Sequence, residues 1–125
     1  MEKIHLEFPL RSNSRTMIWD MVGTRGGLEA WMADRIIEKD GVFTFCWGNN
    51  ETRDAELLAQ RVGIYIRMRW LDESPKNYFE LRIQHNDLTN SFTLEVTELT
   101  DDEDVEGLTQ LWEGYAEKLS RVTGV

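Results

Sequence analysis

Apolar and polar residues alternate from Lys3 to Phe8, with Ile4, Leu6 and Phe8 on one side and Lys3, His5 and Glu7 on the other. Successive side chains of an extended chain point to opposite faces, so this stretch predicts a half-buried strand. The period then lengthens. Ser12, Asn13 and Ser14 supply N-cap groups, and Ile18, Trp19 and Val22 fall on one side of a short helix, with Met17 and Met21 at its margin. Gly23 ends that helix. A second, over about Arg25 to Trp31, brings Leu28 and Trp31 to one face.

Alternation by two dominates the middle of the chain. Ala33 to Lys39 leads into Asp40-Gly41, a dipeptide suited to a two-residue hairpin. Val42 to Trp47 is the return strand and aligns Phe43, Phe45 and Trp47. Gly48-Asn49-Asn50 turns the chain, and Arg53 to Arg61 is expected to place Ala55, Leu57 and Ala59 on one face. After Gly63 the set is Ile64, Ile66, Met68 and Trp70. Asp72 to Asn77 reads as a polar loop. Tyr78 to His85 then aligns Phe79, Leu81, Ile83 and His85. Asn86-Asp87 is the next turn, and Asn90 to Leu99 carries Phe92, Leu94 and Val96.

The last element returns to the helical period. Leu108, Leu111, Trp112, Tyr115, Leu119 and Val122 share an arc of about 100°. Gln110, Glu113, Glu117 and Arg121 lie opposite. The acidic run Asp101 to Asp104, with Glu106, suits the positive end of that helix. An apolar sheet face and an apolar helix stripe must cover each other. The order predicts an α+β domain: a curved seven-stranded antiparallel sheet wrapped around a long C-terminal helix, with two short helices between strands 1 and 2.

Composition narrows the function classes. The chain has 125 residues, a length that favours one domain, taken as residues 1–125. No apolar run approaches the ~20 residues of a membrane span, and the N-terminus lacks the apolar centre of a signal peptide. The single cysteine, Cys46, excludes an internal disulfide. A cytoplasmic protein is expected. The net charge of -9 repels phosphate, so neither nucleic acid nor an anionic membrane surface is expected as a partner. Arg67, Arg69 and Arg82 sit in expected strands and read as one solvated sheet face.

Several residues resemble a known family. Ile18-Trp19 on the first helix, then Gly27-Leu28-Glu29-Ala30-Trp31-Met32-Ala33-Asp34, are similar to the N-terminal pattern of the START-like superfamily, also called SRPBCC or helix-grip. Ala55-Glu56-Leu57-Leu58 followed by Tyr65-Ile66-Arg67-Met68-Arg69-Trp70 resembles its central strands, and Trp112 to Leu119 its closing helix. The branch resembled is the short bacterial relatives of the activator of the heat-shock chaperone ATPase. The resemblance implies an apolar or amphipathic cavity between sheet and helix, without fixing a function.

The chemistry-bearing residues are few. His5, His85 and Cys46 lack metal-ligand spacing, so no metal or cofactor is expected. Cys46 reads as a small packed thiol, and His85 as a hydrogen-bonded residue at a strand end. Gly26-Gly27 reads as a tight connection between helices. Asp20 stands out no more than any other acid, and Glu80, Glu95 and Glu98 are expected on or near the outer sheet face. No catalytic residue is assigned. The aromatic residues remain. Phe45, Trp47, Met68, Trp70, Phe79, Leu81, Trp112 and Tyr115 are the candidate ligand-binding set. Such rings either fill a core or leave a slot. The leading expectation is a non-enzymatic domain binding a small apolar or amphipathic molecule. The alternative is a protein-interaction or chaperone-cofactor module acting through its acidic surface. A cyclase-like enzyme stands third. The sequence leaves the oligomeric state open.

Overall fold

The computed structural model describes Met1–Val125. The elements run β1 (Glu2–Pro9), α1 (Arg15–Val22), α2 (Arg25–Trp31), β2 (Arg35–Lys39), β3 (Val42–Trp47), β4 (Glu51–Arg61), β5 (Tyr65–Trp70), β6 (Tyr78–Asn86), β7 (Ser91–Thr100) and α3 (Val105–Thr123). The seven strands form one sheet in the order β1-β7-β6-β5-β4-β3-β2, antiparallel at every pairing. Strands β2 to β7 are thus a run of hairpins, and β1 closes onto the last of them. This is the expected α+β, helix-grip architecture. No helix is long and apolar enough to cross a membrane.

Local chemistry explains the joints. Asp40 and Gly41 have φ of 52° and 81°, the left-handed pair that a two-residue hairpin requires. Ser14 caps α1 by accepting from Met17 N, and Thr24 caps α2 by accepting from Gly27 N. Asp104 caps α3 by accepting from Gly107 N at 2.9 Å. Gly27 sits where α1 and α2 touch: a Cβ there would overlap the Asp20 carbonyl and the Met21 backbone. Trp31 Nε1 donates to Met21 O at 2.8 Å and ties the two helices together.

Two expectations about faces change. Leu57 lies opposite Met68, but Ala59 lies opposite Arg67, so Leu58 is an extra residue in β4. This bulge resets the alternation, and Ala59 shares the face of Arg67 rather than that of Ala55 and Leu57. On α3, Trp112 and Leu119 are buried and Tyr115 half-buried, whereas Leu111 and Val122 are 46% and 51% exposed. The reason is competition for the sheet. Ile18, Val22, Leu28 and Trp31 of α1 and α2 are themselves buried in the same core, so α3 packs along a narrower line than its full apolar arc.

Candidate functional site

The inner sheet face and α3 carry a continuous file of rings. Centroids are 6.0 Å apart for Trp47–Phe45, 5.1 Å for Phe45–Trp70 and 5.2 Å for Trp70–Phe79. The file crosses to the helix at Phe79–Trp112, 5.7 Å, and ends at Trp112–Tyr115, 5.6 Å. Six of the eight candidate residues therefore touch in sequence, while Met68 and Leu81 lie fully buried in the same core.

A cavity of about 170 Å³ opens at the helix end of this file. Trp70, Trp112 and Tyr115 line it, joined by Met32, Leu108 and Leu111. Phe45, Met68, Phe79 and Leu81 do not reach it; they have no exposed surface and fill the core beneath. Trp47 stands beside it, held by a 2.8 Å hydrogen bond from its Nε1 to Met32 O. Both outcomes allowed by the sequence thus occur in one molecule: a filled core near the sheet, and a slot next to α3.

The slot also has polar walls: Arg53, Glu73, Glu98 and Asp102. Glu98 is 4% exposed, which corrects its expected place on or near the outer face. The inward alternation Phe92, Leu94, Val96 simply continues to position 98, opposite Phe79 on β6 and Ile4 on β1. Trp112 Nε1 donates to Glu98 Oε1 at 2.7 Å. Burial pushes the Glu98 carboxyl above its ordinary range; the Trp112 bond and Arg53 oppose this, and the Glu73 and Asp102 charges add to it. Burial likewise pushes the Tyr115 phenol up.

Arg53 is held from three sides. Its Nε and Nη2 donate to the two Asp72 oxygens at 2.9 and 2.8 Å, and Nη2 donates to Glu73 Oε2 at 2.8 Å. Its guanidinium lies 4.0 Å over the Trp70 ring, a cation–π contact. The Arg53 bonds hold the Asp72 carboxyl below the usual range. Outside the slot lies a polar trough of about 290 Å³, lined by Glu73, Ser74, Asn77, Thr100, Asp101 and Asp102. It shares Glu73 and Asp102 with the slot. Asn77 is 3% exposed. Its Nδ2 donates to Asp101 Oδ2 at 3.3 Å and Glu73 Oε1 at 3.5 Å, and its Oδ1 has no partner.

Four polar wall residues were outside the candidate set. Arg53 and Glu98 had a legible signal, since each shares the inward alternation of its strand. Glu73 and Asp102 come from loops, where no period marks direction.

The other candidates lie elsewhere. Glu80 is on the outer face as expected, but it is only 7% exposed rather than solvated. Arg67 and Arg82 cover it, with contacts of 2.9 and 3.1 Å, and stack over Tyr78 and Tyr65. Burial alone raises its carboxyl; the Arg82 and Arg67 bonds outweigh that and hold it below the ordinary range. Arg69 faces Glu56 at 3.8 Å. His85 Nε2 contacts Asn90 Oδ1 at 2.9 Å at the end of β6. Cys46 is buried. His5, Glu7 and Glu95 bring ligand atoms within 4.8 Å of one another, on the sheet face away from the slot and largely in solvent.

Fold and site together define a class: a helix-grip α+β domain whose sheet and C-terminal helix enclose a small aromatic slot. The chain belongs to the START-like superfamily, whose domain model matches residues 1–125. BfR322 from Bacteroides fragilis, known from a solution NMR structure, is 39% identical, with 96% of this chain and 89% of that chain covered and a TM-score of 0.66. Two more distant proteins share the fold. XoxI from Bacillus cereus is 10% identical, covers 98% and 96% and has a TM-score of 0.82. Aha1 from Colwellia psychrerythraea, solved as a dimer, is 14% identical, covers 98% and 94% and has a TM-score of 0.74. No curated protein matches the chain.

Proposed function

We propose that this domain binds a small apolar or amphipathic molecule in the slot between the sheet and α3, without catalysing a reaction on it. The slot itself carries the reading: three aromatic rings and three aliphatic side chains around about 170 Å³ of space, with one buried carboxyl on the wall. Apolar walls supply affinity and a polar group supplies orientation. The volume sets a size. A dry apolar cavity of about 150 Å³ admits benzene, so the inserted part of the ligand is one ring or a short branched chain. Anything larger extends into the adjoining trough.

An environment-sensitive apolar dye is expected to bind the native protein at about one per chain, as a single preformed slot dictates. Trp70→Ala should change that binding, because it removes a wall, and should destabilise the fold by about 3–5 kcal/mol. Fluorescence titration and chemical denaturation measure the two effects. No saturable binding by the wild type, across small aromatics, fatty acids and sterols, overturns the proposal. That outcome favours the interaction-module reading, for which the exposed acidic run Asp101 to Asp104 is the available surface. Native mass spectrometry would show a retained ligand and the subunit count together.

A further inference from the structure

The charges around the slot are unevenly matched, and the mismatch bears on the ligand proposed above. Arg53 is the one cation on its walls. Asp72 and Glu73 already neutralise it through three hydrogen bonds, and its guanidinium plane covers Trp70. It is poorly placed to receive an incoming anion.

Glu98 is in the opposite condition. It is almost wholly buried, Trp112 is the one donor that reaches it, and that donor is neutral and serves Oε1 alone. No cation pairs with Glu98 or with Asp102 at the slot's mouth. A buried carboxylate without a counter-charge is costly, and a buried pair recovers that cost only with good hydrogen bonding. The trough outside points the same way. Glu73, Asp101 and Asp102 line it, and the buried Asn77 Oδ1 is an acceptor with no donor. Acceptors in excess call for a ligand rich in donors. The Trp112 and Tyr115 rings, set edge to face at 79°, add π surface that attracts a cation.

We propose that the ligand is a cationic amphiphile, with its apolar body between Trp70, Trp112 and Tyr115 and an ammonium group donating to Glu98 and facing Asp102. The proposal rests on the ligand-binding reading and narrows it to one chemical class. It also fixes a proton balance. The groups facing Glu98 are Arg53 from β4, Glu73 from the β5–β6 loop, Asp102 from the β7–α3 loop, and Trp112 and Tyr115 from α3. Burial holds the Glu98 proton to a higher pH than the ordinary 4.5. Where Glu98 is protonated, an entering ammonium displaces that proton to solvent and takes its place beside the carboxylate. Affinity for a cation therefore rises with pH through that range, and affinity for a neutral ligand does not.

Calorimetric titration of the full chain with phenethylamine, phenethyl alcohol and phenylacetate tests this, since the three share a ring and a short tail and differ in charge. The amine is expected to bind at least about tenfold tighter than the alcohol, the scale of one charge-assisted hydrogen bond, and phenylacetate weakest. The advantage of the amine should grow as pH rises above 4.5. Glu98→Gln should abolish the advantage, so that amine and alcohol bind alike. Asp102→Asn, at an exposed position outside the core, should narrow it and serves as the second variant if Glu98→Gln does not fold. Equal binding of amine and alcohol by the wild type, or tightest binding of phenylacetate, overturns the proposal and leaves the binding reading intact. So does binding of the dye with none of the three probes. A blank result with dye and probes alike overturns both.

Discussion

Glu80, Glu95 and Glu98 sit on adjacent strands and look alike along the chain, yet each has a different electrostatic role. Glu95 accepts from Gln84 Nε2 at 3.2 Å on the outer face. Glu80 is buried beneath two guanidinium groups, and Glu98 is buried beneath an indole N–H. Burial disfavours both charges, but two cations reverse that preference for Glu80, whereas one neutral donor does not for Glu98. The sign follows for stability. Glu80 is held below its ordinary 4.5, so its contribution is present above that pH and is lost as pH falls through the lower folded value. Glu80→Gln should cost roughly 1–3 kcal/mol at neutral pH, the scale of hydrogen bonds to charged partners. Partial exposure of Arg67 and Arg82 places the value toward the lower end. The deficit relative to wild type should shrink in acid below 4.5. Urea denaturation at two pH values checks it, and a deficit independent of pH would contradict the account.

At the level of elements, the α1–α2 pair shows how a sequence detail becomes geometry. Two adjacent glycines in α2 meet opposite conditions. Nothing lies within 4 Å of a Cβ built on Gly26, while one on Gly27 runs into the backbone of α1. Alanine at Gly26 should stabilise by about 0.5–1 kcal/mol, from helix propensity and a less flexible unfolded chain. Alanine at Gly27 should destabilise by about 1–3 kcal/mol, as overpacking does. Thermal melts of the two single variants read the opposite signs; a gain from Gly27→Ala would show that the helices can separate freely. The contact matters to the site because α2 ends beside Met32, which lines the slot and accepts the Trp47 hydrogen bond.

For the whole molecule, charge and shape divide the labour between the two sheet faces. The inner face holds the ring file and the slot. On the outer face, arginines are matched with carboxylates: Arg67 and Arg82 with Glu80, Arg69 with Glu56. These three arginines thus form no free basic patch to offset the net charge of -9. Duplex DNA should not be bound at physiological salt. Fluorescence anisotropy is the measurement, and salt-sensitive binding tighter than about 1 μM, beyond ordinary non-specific contact, would contradict the charge argument.

Strand and helix positions, the Asp40-Gly41 hairpin and the cap before α1 were legible along the chain because they depend on local quantities: a period of two or 3.6 residues, a dipeptide that tolerates positive φ, a side chain that reaches the third amide ahead. The family was legible only as a resemblance of residue patterns. Asp40-Gly41 and the Trp112–Leu119 stripe needed nothing beyond their own neighbours. Most of the ring file was legible for the same reason, since inward alternation named its members. Tertiary structure decided the rest. The Leu58 bulge turned Ala59 to the other face, α1 and α2 took sheet surface from α3 and left Leu111 at the slot, and two loops delivered Glu73 and Asp102. Glu98 is the sharpest case. Alternation along β7 already aimed it inward, but that it would stand against Trp112, facing an Arg53 already bonded to Asp72 and Glu73, depended on how α3 and the loops lie across the sheet. Periodicity is a property of one segment, whereas burial, counter-charge and empty space depend on what other segments leave there.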